Sequence, residues 1–411
     1  MGCVKRMIGD RADIFKIIII SVKRGAGARH YKVNNFLEAD MKKLWFLAVV
    51  LVLAGCAGRG GDTVSETAGL TIMTWNVHNL FDGEDNGDEY GEFLQSAGWS
   101  KEKYMGRINS ITAAIGKIEP GPDIIVFQEI ESLNVLEDLA ISMARGYSWG
   151  HFANNPGSAI GLGILSRLPM PEAAAHSITI GGETSPRPVL EARVQTEYGE
   201  FVVFACHWKS KIGGDDVTER VRRACARVIL RRIRELWNDE PGLGVIVAGD
   251  LNENHDEFFR RNGGSICALL PDDPYCARLA GFTGADSGRN SGLQKDFIVV
   301  SGNKPPSPAH FPDEVLALFS PWMDGIENGS YFYKNNWETI DHFLISGQFF
   351  DNSGWEYETA FTANFEPFTG GSGTPVSYNL RTGSGLSDHL PLLLRLKISV
   401  NGDEAISLRQ R

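Results

Sequence analysis

The chain has 411 residues, of which 43% are hydrophobic and 22% charged, and this composition is typical of a folded globular protein. It excludes an intrinsically disordered chain and a collagen-like one. The net charge is −11, and from Cys56 onward 30 basic residues stand against 47 acidic ones, a net charge of −17. So acidic a surface disfavours a protein that holds nucleic acid by neutralising many phosphates, but it is compatible with carboxylates that bind a metal ion.

The first recognisable element is a candidate secretion signal at residues 41–55. Met41 is followed by two lysines, by the apolar run 44–53 and by Ala-Gly-Cys, which is the order of basic head, apolar middle and small exit residues in such signals. The segment Leu-Ala-Gly-Cys resembles a bacterial lipobox, which implies that Cys56 is lipidated. We therefore expect a protein anchored by lipid in a bacterial cell envelope, at the outer surface or in the periplasm. The alternative is a short buried helix.

The segments on either side of this signal carry less information. We expect translation to begin at Met41, which makes residues 1–40 a mis-assigned N-terminal extension. The alternative is a genuine cytoplasmic extension in which residues 17–20 form a strand or a weak membrane-facing segment. Residues 56–69 are small and polar and predict a flexible tether, and residues 399–411 predict a polar tail.

Residues 70–398 contain recurring apolar strands with amphipathic helical stretches between them, a pattern that predicts one α/β domain of two packed sheets with outer helices. Stretches rich in proline and glycine at 301–312 and 366–375 predict long surface loops. The predicted strands are Thr71–Trp75, Ile124–Phe127, Gly163–Leu165, Phe201–Cys206, Val245–Ala248, Ile340–Ile345 and Leu390–Leu396, and the clearest helices are Lys101–Ile118 and Asp216–Trp237.

Six cysteines occur, and none has the spacing of a structural zinc site. Cys267 and Cys276 are close enough in sequence to form a disulfide in an oxidising compartment, or they stay reduced; the sequence leaves both outcomes open. Cys206 and Cys225 lie in apolar strand and helix patterns, which predicts buried thiols.

Polar residues stand at the ends of several predicted strands, where an α/β scaffold presents a site. Each of them alone is explained as a turn former, a helix cap or a half-exposed side chain. Together they predict phosphodiester hydrolysis, because hard oxygen ligands suit Mg²⁺ or Mn²⁺ and an imidazole beside a carboxylate handles protons and charge. The segments are Thr-Trp-Asn76-Val-His, Phe-Gln-Glu129-Ile, Ala-Cys-His207-Trp-Lys209-Ser-Lys211, Gly-Asp250-Leu-Asn252, Asp341 and Ser387-Asp388-His389-Leu-Pro.

This series, in this order, resembles the endonuclease/exonuclease/phosphatase family, which includes pancreatic-type deoxyribonucleases, abasic-site endonucleases, sphingomyelinases and inositol-polyphosphate 5-phosphatases. The Gly-Asp-Leu-Asn and Ser-Asp-His-Leu-Pro segments are the most specific part of the match. The resemblance covers nearly all of residues 70–398. The fold expected is a four-layer α/β sandwich of two packed mixed β-sheets flanked by helices.

The resemblance also implies roles for individual residues. Glu129 is implied as the main ligand of Mg²⁺ or Mn²⁺, with Asn76 beside it and Asp388 close to the metal. Asp250 is implied to orient or deprotonate the attacking water, and Asn252 to hold a phosphate oxygen. His389, oriented by Asp341, is implied to contact the phosphate, and His207 to donate to the transition state or the leaving oxygen. The reaction implied is a single in-line attack on phosphorus.

Several features bear on the substrate. An inositol-polyphosphate 5-phosphatase is expected to have an arginine directly after the Asp341 position, where this chain has His342, so that branch is disfavoured. Lys209, Lys211 and the arginines at 220, 222 and 223 resemble the basic residues of secreted nucleases and are candidates for binding a nucleic-acid backbone, or they form a solvated helix face. Aromatic residues at 331–333 and 337 either stack on bases, lie against a membrane or fill the sheet interior.

Three hypotheses follow from these observations. The leading one is a monomeric surface or secreted endonuclease acting on DNA or RNA. The second is a phospholipid phosphodiesterase of the sphingomyelinase type, in keeping with a membrane anchor at Cys56. The third, a surface adhesin on an inactive nuclease scaffold, is disfavoured because every expected catalytic position is filled.

Overall fold

Two mixed β-sheets lie face to face in the computed structural model, which describes residues 16–19, 69–282 and 296–399. The first sheet has seven strands, and β2 and β3 run parallel at its centre. In spatial order these strands are β1 (Lys16–Ile19), β4 (Trp149–Ala153), β5 (Gly161–Ser166), β3 (Ile124–Ile130), β2 (Gly69–Leu80), β19 (Leu392–Ser399) and β18 (Gly354–Thr362).

The second sheet has eight strands, and β10 and β11 form the parallel pair near its centre. In spatial order the strands are β12 (Leu269–Pro271), β13 (Ile298–Ser301), β14 (Ala317–Phe319), β17 (Asp341–Ile345), β11 (Gly244–Asp250), β10 (Gly199–His207), β9 (Val189–Thr196) and β6 (Glu172–His176). Two separate hairpins pair β7 (Thr179–Ile180) with β8 (Glu183–Thr184), and β15 (Tyr331–Tyr333) with β16 (Asn336–Glu338).

The α-helices of the described residues lie between strands in the chain, and three of them are long enough to cover a sheet. They are α1 (Lys101–Ile115), α2 (Leu133–Ser142) and α3 (Asp215–Asp239), with the shorter α4 (Glu257–Arg260) and α5 (Pro274–Leu279). Single 3₁₀ turns occupy Gly91–Phe93, Gln95–Ala97, Pro321–Asp324 and Gly347–Phe350. No helix in the described part of the chain combines the length and hydrophobicity that crossing a bilayer requires.

Three layers of buried side chains hold these elements together, and they follow from the alternation of strand residues. In β3, Ile124 and Val126 point between the sheets, whereas Ile125 and Phe127 point toward α1 and α2. Strand β10 repeats this pattern on its own two faces, since its alternate residues pack between the sheets and against α3. Burial on both faces explains why these strands read as unbroken apolar runs. The predicted four-layer α/β sandwich is confirmed.

All seven predicted strands and both predicted helices are present, with boundaries that shift by a few residues. Ser100 caps α1 by accepting a hydrogen bond from the backbone N–H of Lys103. This helix ends at Ile115, three residues before the predicted end, and Gly116 follows it as the C-cap. Ser301, the first residue of the predicted loop 301–312, is the last residue of β13; the rest of that loop, and the predicted loop 366–375, contain neither helix nor strand.

The four cysteines in the described residues are free and buried. The disulfide considered for Cys267 and Cys276 is therefore absent, whereas the prediction of buried thiols at Cys206 and Cys225 is confirmed. Burial raises the pKa of the Cys276 thiol to about 12, which keeps it protonated.

Candidate functional site

The predicted site residues come together at one edge of the sandwich, where central strands of both sheets end. His207 is the last residue of β10 and Asp250 the last of β11, and they lie side by side in the parallel register. Asp341 begins the antiparallel β17 directly opposite Asp250. In the facing sheet, Asn76 of β2 lies beside the end of β3, which carries Glu129. Topology thus brings residues more than 250 positions apart to one place.

The centre of the site is a pair of carboxylates joined by an amide. Asn76 Nδ2 donates to Glu129 Oε1 at 3.2 Å and to Asp250 Oδ2 at 3.0 Å. Its Oδ1 accepts from the backbone N–H of His78 at 2.9 Å, so in this arrangement the amide nitrogen faces the carboxylates. Asn76 therefore positions the two carboxylates in this arrangement. Its predicted role as a metal ligand requires the side-chain amide to rotate so that Oδ1 faces the metal.

The backbone around Glu129 is held in a conformation that few side chains adopt. Glu129, His78, Asn79 and Asn252 all have left-handed φ values, between 52° and 62°. Such a residue costs on the order of 1–3 kcal/mol in protein structures, and such residues cluster where function over-determines the backbone. The N–H of Asn79 donates to Glu129 Oε2 at 2.9 Å, so the left-handed turn near the end of β2 directly fixes the carboxylate.

A buried arginine from α1 supports this turn from behind. Arg107 is 1% exposed, and its guanidinium donates to the backbone carbonyls of Val77, His78 and Asn79, the last at 2.6 Å. These carbonyls belong to the irregular stretch where the pairing of β2 with β3 shifts register. Arg107 therefore keeps the turn in the shape that presents Glu129.

The Gly-Asp-Leu-Asn segment has a steric requirement for its glycine. Gly249 has a φ of 142°, and a Cβ there would lie 1.9 Å from the carbonyl oxygen of Cys206 on the adjacent strand. Only glycine lets β10 and β11 approach this closely. The next residue, Asp250, then faces the site, and its Oδ1 accepts from the backbone N–H of Asn252 at 2.8 Å.

His207 is buried at the floor of the site and has an unexpected partner. Its Nε2 lies 3.6 Å from Glu129 Oε1 and 3.6 Å from Asp250 Oδ2, and Arg187 Nη1 approaches the same nitrogen to 2.9 Å. Because guanidinium only donates, Nε2 is an acceptor in this arrangement. Burial, followed by the charge of Arg187, lowers the pKa of His207 well below its ordinary value, so the imidazole is neutral. Its predicted role as a donor requires the substrate to displace Arg187.

His389 forms the second imidazole of the site and has the opposite charge state. Its Nδ1 lies 2.8 Å from Asp341 Oδ2, which also accepts from Ser330 Oγ at 2.6 Å. Burial alone would lower the pKa of His389, but the Asp341 carboxylate, with Asp388 and Asp250, raises it to about 10. His389 is thus an imidazolium at neutral pH, as the predicted phosphate contact requires.

The donor set of the site fits a hard divalent cation. Burial, followed by the charge of Asp341, raises the pKa of Asp250 to about 7, and a bound cation would offset the repulsion between these crowded acids. Asp341 Oδ1 is buried and has no hydrogen-bond partner in the described part of the chain. Oxygen ligands of Asp and Glu are those that Mg²⁺ and Mn²⁺ prefer, and no thiolate is among them.

The remaining predicted residues lie at the rim or point elsewhere. Asp388 is half-exposed and faces His78, with 3.6 Å between Oδ1 and Nδ1. Asn252 Nδ2 donates to the backbone carbonyl of Trp208 at 3.1 Å. His342 points away from Asp341 on β17, is buried, and bonds the carbonyl of Glu253 at 2.8 Å. Its pKa is lowered to about 4 by burial, so it stays neutral.

The basic residues that were predicted to bind a nucleic-acid backbone are largely occupied. Lys211 Nζ donates to Glu257 at 2.7 Å, and Lys209 Nζ donates to Ser210 and to the carbonyl of Ile212. Arg222 is fully buried between Glu219 and Glu253, and Arg223 pairs with Asp296. Both interpretations, a nucleic-acid contact and a solvated helix face, are therefore wrong for Arg222, whereas Arg223 is half-buried and Arg220 is exposed.

Sequence reasoning missed three residues that shape the site, and the signals for them differ. Arg107 stands among the apolar positions of the amphipathic helix that contains Ile108 and Ile111, and a charged residue on that face was a usable signal. Arg187 lies in a Ser-Pro-Arg-Pro segment without periodicity, and Ser330 lies in a loop. Neither of these two carries a pattern that indicates a role.

Arg187 offers a direct test of how the site is organised. We expect Arg187→Gln to lower kcat for the hydrolysis that the sequence predicts by about 10- to 100-fold, because the guanidinium that the substrate displaces from His207 can then form a charge-assisted hydrogen bond of ~1.5–3 kcal/mol to a phosphate oxygen. Arg187→Lys should restore part of the loss, because it keeps the charge but not the planar fork. Steady-state kinetics measure both variants, with Arg220→Gln as a control that removes an exposed guanidinium. Equal kcat values for Arg187→Gln and the control would contradict the role.

Part of the chain matches a known protein family, and solved structures with a similar fold exist. Residues 71–262 match the family model described as Endonuclease/Exonuclease/phosphatase family. Similar solved structures include truncated TDP2 of Caenorhabditis elegans, at 13% identity and a TM-score of 0.46 over 80% of this chain and 97% of that chain. They also include an endonuclease/exonuclease/phosphatase family protein of Bacteroides thetaiotaomicron, at 15% identity, a TM-score of 0.46, and 82% and 97% coverage. A mannosyl-6-phosphatase of Bacteroides thetaiotaomicron VPI-5482 has 15% identity, a TM-score of 0.45, and 80% and 99% coverage. None of the curated proteins compared with the chain matches it.

Proposed function

We propose, from the membership of this chain in the endonuclease/exonuclease/phosphatase family, that it is a divalent-metal-dependent hydrolase of phosphodiesters. That the chain hydrolyses phosphoric esters follows from the family. The metal and the diester substrate are our proposal. The observation that carries it is the convergence of Glu129, Asp250, His207 and the Asp341–His389 pair at the edge where both sheets end.

The acids of this group and His389 have separate chemical tasks in the proposed reaction, and His207 keeps its predicted role as a donor to the transition state or the leaving oxygen. Glu129, with Asp250 and Asp388 nearby, would hold Mg²⁺ or Mn²⁺, which when bound supplies positive charge for a phosphate oxygen. Asp250 accepts a proton from the attacking water, since its pKa near 7 suits a general base at neutral pH. The His389 imidazolium, oriented by Asp341, stabilises the negative charge that grows on the phosphoryl oxygens. Asn252 would hold a phosphate oxygen once its Nδ2 leaves the backbone carbonyl of Trp208.

We propose nucleic acid, DNA or RNA, as the substrate class. Support comes from the aromatic hairpin β15–β16, because the ring of Tyr331 lies 4.6 Å from the imidazole of His389, centroid to centroid. Bases stack on such rings whatever their sequence. The second candidate is a phospholipid diester, and the observation favouring it is a pair of exposed apolar side chains, Ile212 in the loop after β10, which is 82% exposed, and Val217 in the first turn of α3, which is 70% exposed.

A panel of substrates decides between these candidates. Purified protein should cleave single-stranded DNA or RNA with Mg²⁺ or Mn²⁺, and EDTA should abolish the cleavage. Plasmid DNA and sphingomyelin liposomes complete the panel, with nicking and phosphocholine release as readouts. Release of phosphocholine without cleavage of any nucleic acid would replace the leading substrate class by the second. Activity that survives EDTA would remove the metal from the proposal.

The location of the protein remains a separate proposal. Cys56 and the signal at residues 41–55 lie outside the described residues, as do residues 1–15 and 20–40 of the expected extension. We propose, on the sequence alone, that Cys56 carries the lipid anchor and that the domain works as a monomer at the cell envelope. Incorporation of labelled fatty acid into the protein, and its loss in Cys56→Ser, is the measurement for the anchor.

A further inference from the structure

The hairpin of β15 and β16 stands apart from both main sheets and has a fixed shape. Lys334 and Asn335 have left-handed φ values of 48° and 63°, which is the conformation of a tight two-residue hairpin turn. Phe332 packs on Trp337 across the hairpin, with ring centroids 5.1 Å apart. The cross-strand contact and the turn together keep the hairpin from changing register.

This hairpin is bonded directly to the residues of the site. The backbone N–H of Leu390 donates to the carbonyl of Ser330 at 2.7 Å, and Tyr331 forms a backbone bridge with His389. Ser330 Oγ donates to Asp341 at 2.6 Å. The hairpin is therefore held to the Asp341–His389 pair, and its aromatic rings have a defined position relative to the reacting phosphate.

Two tyrosines of the hairpin form an aromatic surface that leads outward from His389. The rings of Tyr331 and Tyr333 lie 17° from parallel, with centroids 6.1 Å apart. They share one side of β15 because they are two positions apart in a strand. Tyr333 is 50% exposed, and Lys334 Nζ lies 5.1 Å from its ring. A flat ring attached to the phosphate can rest on this surface, and the ammonium is close enough to meet the next phosphate.

Charges around the site disfavour a long duplex as the ligand. Lys211, Arg222 and Arg223 are all committed to carboxylates within the protein. A duplex is held mainly by many contacts to its phosphates. With these cations occupied, and with a strongly acidic chain around them, stacking on the tyrosines is the larger source of binding energy for a nucleic acid.

We infer that Tyr331 and Tyr333 stack on an unpaired base next to the scissile phosphate, so that the substrate is a single strand or a frayed end rather than a paired duplex. The inference rests on the proposed function, because it names the form of nucleic acid that the same site accepts. Tyr331 also supports His389, and Tyr333 is therefore the position at which stacking is tested without disturbing the Asp341–His389 pair.

The test uses one short single-stranded oligonucleotide and its counterpart with an abasic residue beside the cleaved phosphate. Tyr333→Leu should raise KM for the complete oligonucleotide by about 10- to 100-fold, the range for losing one base–aromatic stack, with kcat unchanged. It should leave KM for the abasic counterpart unchanged, and Tyr333→Phe should behave as the natural protein. Tyr275→Leu is the matched control, since Tyr275 lies in α5, is 41% exposed and has an arginine 4.9 Å above its ring.

The outcomes separate this inference from the proposed function. Cleavage of both oligonucleotides with the same KM in Tyr333→Leu and the natural protein would overturn the stacking inference and leave the nuclease in place. Faster cleavage of a closed duplex than of the single strand would overturn it as well. Cleavage of neither oligonucleotide, alongside EDTA-sensitive release of phosphocholine from sphingomyelin liposomes, would overturn both the nuclease and the inference.

Discussion

Glu129→Gln is expected to lower kcat/KM for phosphodiester hydrolysis by roughly 10³-fold or more, the scale on which an active site loses an electrostatic group for the transition state. Glutamine keeps the size of the side chain and its acceptor for the N–H of Asn79, so the left-handed turn should persist. What disappears is the negative charge that faces Asn76, His207 and Asp250. Metal titration should therefore show weaker binding of Mg²⁺ or Mn²⁺ together with the lower rate.

A residue just after the same strand offers a control for this substitution. Glu131 is two residues further along, and burial, with the charge of Asp82, raises the pKa of Glu131 to about 8. At pH 7 its carboxyl is mostly protonated, so a glutamine at this position replaces one neutral group by another. We expect Glu131→Gln to retain activity within about 3-fold, or ~0.7 kcal/mol. The reverse result, an active Glu129→Gln and an inactive Glu131→Gln, would move the cation to the acidic loop that follows β2.

The fold was predictable because its strands are buried on both faces. The run from Phe201 to Cys206 contains no charged residue, and alternate members of it fill two different cores. By contrast, β6, from Glu172 to His176, lies at a sheet edge and is mostly alanine. Its sequence therefore shows neither a run of large apolar residues nor an alternation of apolar and polar ones. Edge strands of this kind are specified by their neighbours in space, which a single sequence does not reveal.

The sequence was enough to predict which residues form the candidate site, but not which hydrogen bonds and ion pairs they make. Glu129, Asp250 and His389 belong to recognisable segments, and the structure brings them to one edge. The left-handed backbone of Glu129 and the contact of Arg187 with His207 depend on distant parts of the chain. Neither leaves a local pattern.

The basic helix illustrates the opposite error, in which a local pattern suggests a surface that does not exist. Arg222 resembled a solvent-facing or phosphate-binding charge. Arg222 has two carboxylate partners. Glu219 is three residues earlier in the same helix, and Glu253 lies in the loop after β11 and pairs with the guanidinium. A long-range carboxylate therefore turns an apparent surface arginine into a buried ion pair.

Asp341→Asn is the second substitution with a large expected effect, because it changes the charge of His389. The amide can still accept from His389 Nδ1 and from Ser330 Oγ, so the geometry is retained. Without the carboxylate, burial dominates and the pKa of His389 falls from about 10 toward or below its ordinary value. At pH 7.5 the imidazole is then neutral, and kcat/KM should drop by about 10²- to 10⁴-fold.

The pH dependence distinguishes this loss of charge from a simple structural defect. A histidine whose pKa is raised in the folded state contributes stability that is complete below its unfolded pKa near 6.5 and is lost as pH rises through about 10. The melting temperature of Asp341→Asn should therefore lie further below that of the natural protein at pH 6 than at pH 9.5. Its relative activity should also recover as pH falls from 8 toward 6, since protons then restore the imidazolium.

A second histidine–aspartate pair in the chain serves as the control for Asp341→Asn. His310 Nδ1 lies 3.1 Å from Asp272 Oδ1, but His310 is exposed and the pair is remote from Glu129 and His207 in the fold. Asp272→Asn should leave kcat/KM and its pH profile unchanged, because no charge near the phosphate is altered. Two results would contradict the charge effect. The rate of Asp341→Asn relative to the natural protein would be the same from pH 6 to pH 8, and the difference in their melting temperatures would be the same from pH 6 to pH 9.5. Asp341 would then position His389 without setting its charge.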